Sequence, residues 1–171
     1  MADTKKDAFQ DYRDYLMMVG DIATHYAAFE RAIDRAIWRL ASVEERLGSC
    51  ITTQIIAVGT RFKILTALMY EREMPESLHK EAASILEKAI KTSQFRNKFV
   101  HSPLELAIVD GDLVPMRNHR VVDKVLKDEL VPYEKDDMQK TAARCQELKN
   151  EALFLTQKIV AELRRQSPSG G

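Results

Sequence analysis

The sequence predicts an all-α fold, a four-helix bundle-like domain carrying a small β-hairpin insertion before its last long helix. Three observations carry that reading. Apolar residues recur in alternating steps of three and four along four long stretches. Gly and Pro are few, 6 and 5 in 171 residues, which suits helices more than a sheet-rich chain. The helical period stops at Pro103 and resumes only after Pro132, leaving room for one turn-rich insertion.

The first stretch runs from about Asp7 to Leu47, with Tyr12, Leu16, Val19, Ile22, Tyr26, Phe29, Ile33, Ile37 and Leu40 on one stripe. Gly20 offers a bend, and Gly48 is placed to close the helix. A second helix is expected from Ile51 to Glu73 on the stripe Ile51, Ile55, Val58, Phe62, Leu65 and Met69, with Gly59 beside it to permit close helix contact. Pro75 breaks the pattern. Ser77 and Glu81 then open a third helix with Leu78, Ala82, Ile85 and Ala89 on its face, and Pro103 ends it shortly after His101. Leu104, Leu106 and Ile108 alternate with other residues up to Asp110-Gly111, a strong turn pair, and Leu113 and Val114 return; this is a hairpin over residues 104 to 117, with Pro115 on an edge strand. The stripe Met138, Cys145, Leu148, Ala152, Leu155, Ile159 and Leu163 marks the last helix.

Each of these helices has one apolar face, and the faces must be buried against one another. The chain has the length of one domain, residues 1 to 166, followed by a flexible tail from Ser167 to Gly171. Its 26 basic residues balance 26 acidic ones, so no global field draws it to nucleic acid or anionic lipid, and any RNA site must be local. Cys50 and Cys145 lie on apolar stripes without metal-ligand spacing, and read as core thiols of a reducing compartment. With no signal-peptide core and no span-length apolar run, the expected location is cytoplasmic, away from membranes.

The third helix holds the residues that invite a chemical reading. On a helical wheel with Ile85 at zero, Ala89 falls at about 40°, Thr92 at about −20° and Arg96 at about 20°, placing Arg96 in the middle of the apolar face. An unpaired guanidinium buried there would be costly. On the first helix, with Tyr26 at zero, Glu30 falls at about 40°, beside Ile37 at about 20° and Ile33 at about −20°, and so interrupts another apolar stripe. A buried Glu30 to Arg96 pair is therefore expected, serving either to fix helix register or to aim the guanidinium. Asn97 and His101, four residues apart, project together from a neighbouring face. Arg followed five residues later by His is a weak signal; requiring Asn directly after the Arg lowers the chance expectation to about 0.005.

The stretch Arg96-Asn97-Lys98-Phe99-Val100-His101 resembles the Arg-polar-x-x-x-His signature of the HEPN superfamily (higher eukaryotes and prokaryotes nucleotide-binding), and the helix order around it is similar. The resemblance implies a small α-helical domain, homodimeric, with the motifs of two protomers meeting at a shared cleft. It implies a metal-independent endoribonuclease needing no cofactor, in which Arg96, Asn97 and His101 take the active positions; the wheel reading, not the resemblance, adds Glu30 as their support. Toxins of toxin-antitoxin or phage-defence systems are the expected setting, with RNA as substrate and an antitoxin protein as partner. The separation of Arg96 and His101 by about 140° on one helix also favours a site shared between copies. The alternative is a non-catalytic helical dimer of the same fold, an interaction or RNA-binding module.

Other residues offer less. His25 and His79 read as single histidines on helix surfaces, and His119 as part of a solvated basic loop from Arg117 to Arg120. Tyr12, Tyr15, Tyr26 and Trp38 read as core or interface aromatics rather than base-stacking platforms. No phosphate-binding glycine loop, nucleophile elbow or His-Glu metal pattern is present.

Overall fold

The computed structural model describes residues 2–101, 104–122, 126–132 and 134–166. Among them the chain forms α1 (Ala2–Ala41), α2 (Glu45–Thr52), α3 (Val58–Glu71), α4 (Glu76–Val100), β1 (Leu104–Val109), β2 (Asp112–Val122), β3 (Leu126–Pro132) and α5 (Lys135–Gln166). The mostly helical class and the antiparallel hairpin before the last helix agree with the periodicity. No helix of the described residues is long and apolar enough to cross a membrane. The chain divides into two compact units. One takes the chain up to Thr24 with Gln94–Ala143, the other His25–Ser93 with the chain from Arg144 on.

The second of these units is a helical bundle. Tyr26, Phe29, Ile33, Ile37 and Leu40 of α1 are buried, as their three-and-four spacing requires. Phe62 of α3 stacks on Phe29 with ring centroids 6.4 Å apart, and Leu65 and Met69 continue that face. Leu78, Ala82, Ile85 and Ala89 of α4 and Cys145, Leu148, Ala152, Leu155 and Ile159 of α5 complete the core. Burying each large side chain among them stabilises the fold by about 1.5 to 3 kcal/mol. The ion pairs Glu81 to Lys158 and Lys88 to Glu151 step seven residues forward on α4 and seven back on α5, so these helices run antiparallel.

Helix ends depart from expectation here. The first helix stops at Ala41 rather than running to Leu47, and Ser42, in the left-handed region at φ 55, does what glycine was expected to do. The N–H of Ser42 donates to Arg39 O and that of Val43 to Trp38 O, the paired hydrogen bonds of a Schellman motif. Arg72 seals the same end, its Nε donating to Leu40 O and its Nη2 to the Ser42 hydroxyl. Glu73, at φ 48, ends α3 in the same way through Glu73 N to Tyr70 O and Met74 N to Met69 O. Gly48 is not a helix end at all. It lies buried inside α2 against the indole of Trp38, where a Cβ would run into the ring. The expected helix from Ile51 to Glu73 is likewise broken. Ile51 belongs to α2 and is 60% exposed, and a Cβ on Gly59 would meet nothing, so Gly59 serves no close helix contact.

In the other unit, Tyr15 and Ile22 of α1, Phe99 of α4, Leu104 of β1 and Met138 of α5 are buried. Leu16, expected on the buried stripe, is 52% exposed, and the neighbouring Tyr15 faces inward instead. The β region is larger than a hairpin: three antiparallel strands in the order β1-β2-β3. Asp110 and Gly111, at φ 53 and 91, form the tight turn between β1 and β2, both residues in the left-handed region that a two-residue hairpin of right-handed twist demands. The stretch expected as a solvated loop from Arg117 to Arg120 is the middle of β2, paired to β3 from Met116↔Pro132 through Val122↔Leu126. Pro115 therefore sits in a central strand. It is tolerated because it pairs only with Leu106 of β1, the β3 ladder beginning one residue later. Pro103 and the tail from Ser167 to Gly171 lie outside the described residues.

Candidate active site at the end of the fourth helix

α4 carries Arg96 and Asn97 in its last two turns and delivers His101 just past its final residue. The His101 N–H still donates to Asn97 O at 3.2 Å, so the backbone stays tied to the helix for one more residue. The three side chains come together. Arg96 Nη1 donates to Asn97 Oδ1 at 2.8 Å and lies 3.3 Å from His101 Nε2. Arg96 is partly buried, whereas Asn97 and His101 are exposed. A guanidinium has donors only, so a hydrogen bond to Nε2 requires that nitrogen to present its lone pair and Nδ1 to carry the proton. The wheel separation of Arg96 and His101 does not keep them apart, because the long arginine reaches across the helix end. A second copy is not needed to bring the two together.

Residues to which the sequence reading gave no part in the site hold this end of the helix in place. Tyr15 donates its hydroxyl to Phe99 O at 3.1 Å, satisfying one of the last carbonyls of α4, which have no partner within the helix. Burial pushes the Tyr15 hydroxyl above its ordinary pKa, with the Arg117 charge acting in the opposite direction. Arg117, only 3% exposed, lays its guanidinium 5.9 Å from the centre of the Phe99 ring. Its Nε and Nη1 have no hydrogen-bond partner among the described residues, and the aromatic face and the nearby negative end of α4 are what offset its charge. Lys98 bonds to Glu134, and Lys135, at the start of α5, bonds to Asp14 of α1, whose carboxyl is held below its usual pKa chiefly by that bond. The signal for Tyr15 was its position one residue from the expected stripe. Arg117 was hidden because a charged run reads as loop.

Glu30 lies in the other unit. Its carboxylate accepts from Arg61 Nη1 at 2.8 Å, and Arg61 Nε donates to Asp34 Oδ1 at 3.0 Å. Arg61 and Asp34 are buried. A readable signal existed: Glu30 and Asp34 stand four apart on one helix face, and Arg61 directly precedes the core residue Phe62. Of the remaining histidines, His79 packs on Tyr70 with ring centroids 4.2 Å apart, and the backbone of His119 pairs with Glu129. Tyr15, Tyr26 and Trp38 are core residues, as expected. Cys145 is buried, but Cys50 is exposed on α2, and so is not the core thiol that its stripe predicts. Among the described residues no three His, Cys, Asp or Glu side chains come together to hold a metal ion. Comparisons with family models, with curated proteins and with solved structures return no match to this chain.

Proposed function

We propose that the protein is a metal-independent endoribonuclease of HEPN type, in which Arg96, Asn97 and His101 act on the RNA backbone. One observation carries this reading: Arg96 stands within hydrogen-bonding reach of both Asn97 and His101 at an exposed helix end. The neutral His101 Nε2 takes the proton of a ribose 2′-hydroxyl, and the 2′-oxygen attacks the adjacent phosphorus. A 2′,3′-cyclic phosphate forms as the bond to the 5′-oxygen breaks. Arg96 turns from His101 to the non-bridging oxygens, so binding of phosphate frees the base that the reaction needs. The Asn97 amide steers the guanidinium through its oxygen and leaves its NH2 to donate to phosphate. In a homodimer, the histidine of the second copy returns a proton to the departing 5′-oxygen. RNA is the substrate, and a toxin paired with an antitoxin protein is the setting such an activity fits.

Incubation of the purified protein with mixed RNA in the presence of a chelator, beside His101→Ala, tests the proposal. Cleavage with cyclic phosphate ends by the wild type, reduced by about 10²- to 10⁴-fold in the variant, is expected. RNA left intact by both proteins, or cut equally by both, overturns it and leaves a non-catalytic helical module.

A further inference from the structure

A cavity of about 520 Å³ opens in the bundle unit, where the ends of α1 and α5 meet the start of α2. Its size is that of a small-molecule site. Three guanidinium groups line it, those of Arg35, Arg39 and Arg164, all on exposed residues. None of the three has a carboxylate within ion-pair distance among the described residues, unlike Arg31, Arg61 and Arg165 of the same unit. Glu44 and Glu45 also line the cavity, but Glu45 is already matched by Arg31 at 2.6 Å. Three arginines then face the one remaining carboxylate. The ordinary explanation of an arginine at a helix end is compensation of the helix dipole, about half a negative charge per helix. Arg39 and Arg164 occupy the last turns of α1 and α5 and are covered by it. Arg35, a turn earlier, is not, and a positive surplus of about one charge remains.

The cavity wall also tells what part of a ligand would be read. Trp38 lines it, but the Arg31 guanidinium covers the indole 4.7 Å from its centre, and Gly48 packs against the pyrrole atoms. With Trp38 only 4% exposed, little of the indole is left for a planar base. We infer that this cavity is a phosphate-binding site for a chain of linked phosphoryl groups, held by Arg35, Arg39 and Arg164. The four-residue step from Arg35 to Arg39 is about 6 Å along the helix axis, a span that two or three linked phosphates match better than one. Guanidinium is the side chain best shaped to hold phosphoryl oxygens in pairs. The site shares no residue with those proposed for RNA cleavage and does not depend on that activity.

Trp38 is the single tryptophan of the chain, so its fluorescence reports on the cavity directly. Titration with inorganic triphosphate at low salt should give a saturable change. Arg35→Gln, Arg39→Gln and Arg164→Gln should each weaken binding about tenfold, the scale of one charge-assisted hydrogen bond. Arg46→Gln, which removes the same charge from an exposed position of α2 outside the cavity, should leave binding within about twofold. A short oligoribonucleotide without terminal phosphates forms the second arm. If it saturates the signal through the same three arginines and triphosphate does not, the cavity holds separate backbone phosphodiesters rather than linked phosphoryl groups, and the proposal is overturned. No saturable change with either probe, or equal weakening by Arg46→Gln, overturns the proposal.

Discussion

Two arginine clusters, one in each unit, use the same functional group to opposite ends. Arg61 is buried, and its ion pairs are to two carboxylates, Glu30 and Asp34, with a further hydrogen bond to Ile56 O. Arg96 is only partly buried, and its contacts with its neighbours on α4 are to a neutral amide oxygen and an imidazole nitrogen at an exposed histidine. The first arrangement cancels charge where water cannot. It leaves the guanidinium nothing to do except hold α1 to α3. The second sets an imidazole nitrogen, which accepts from the guanidinium until a ligand draws the guanidinium away, and an amide NH2 beside a cation, the set that the proposed reaction uses. Burial separates the two arginines: Arg61 supports the fold, and Arg96 is the one that the proposed activity uses.

The sharpest way to break that comparison is to remove one member of each cluster. Arg61→Met leaves two carboxylates in a buried place facing each other, and should cost about 3 to 5 kcal/mol in denaturant unfolding. Adding Glu30→Gln and Asp34→Asn should recover part of the loss, since the uncompensated charge is what makes the single change severe. His101→Ala removes an exposed side chain and should change stability by about 0.5 kcal/mol or less. Equal losses from the two variants would erase the distinction drawn between the clusters.

A smaller effect is expected where the bundle unit depends on shape rather than charge. Gly48→Ala places a methyl group against Trp38. The indole is held by Arg31 and by its own burial, so it cannot simply swing away. A destabilisation of about 1 to 3 kcal/mol is expected, together with altered Trp38 fluorescence in the folded state. A melt unchanged from the wild type would show that the cavity wall is softer than the packing implies.

Much of this was legible in the sequence where one periodicity acts alone. The buried stripes of α4, of α5 as far as Ile159, and of α1 beyond Ile22 follow their three-and-four spacing, with Leu163 half-buried at the end of α5. So does the turn at Asp110-Gly111, where the chemistry of two adjacent residues is sufficient. Legibility failed where a tertiary partner decides. Ser42 and Glu73 end helices in a conformation that glycine adopts most easily, and Ser42 is held there by Arg72, which lies 30 residues away. Gly48 looked like a helix end because its need for space comes from Trp38. The third strand was missed because Arg117 to Arg120 and Lys127 to Glu129 carry the charges of a loop. At the site, Arg96, Asn97 and His101 were visible as a spacing, but Tyr15 was not, since nothing local ties it to Phe99.

The smallest expected effect belongs to that tyrosine, and it tests whether the end of α4 is held as firmly as the Arg61 cluster holds α1 to α3. Tyr15→Phe keeps the buried ring and removes the hydroxyl, and with it the hydrogen bond to Phe99 O. The cost should be about 1 kcal/mol. Alkaline pH gives the variant a second signature. The folded protein holds the Tyr15 proton more tightly than the unfolded chain does, because burial raises its pKa from the ordinary value of 10.0. Above that value the unfolded state loses its proton first and binds fewer protons than the folded state, so the stability contributed by Tyr15 is complete below it and falls as pH rises past it. Wild-type stability should therefore decline through this alkaline window more steeply than that of Tyr15→Phe, and the difference between the two proteins should shrink as pH increases. Parallel curves across the window would mean that the hydroxyl titrates alike in both states, and that the helix end bearing His101 is held by something other than Tyr15.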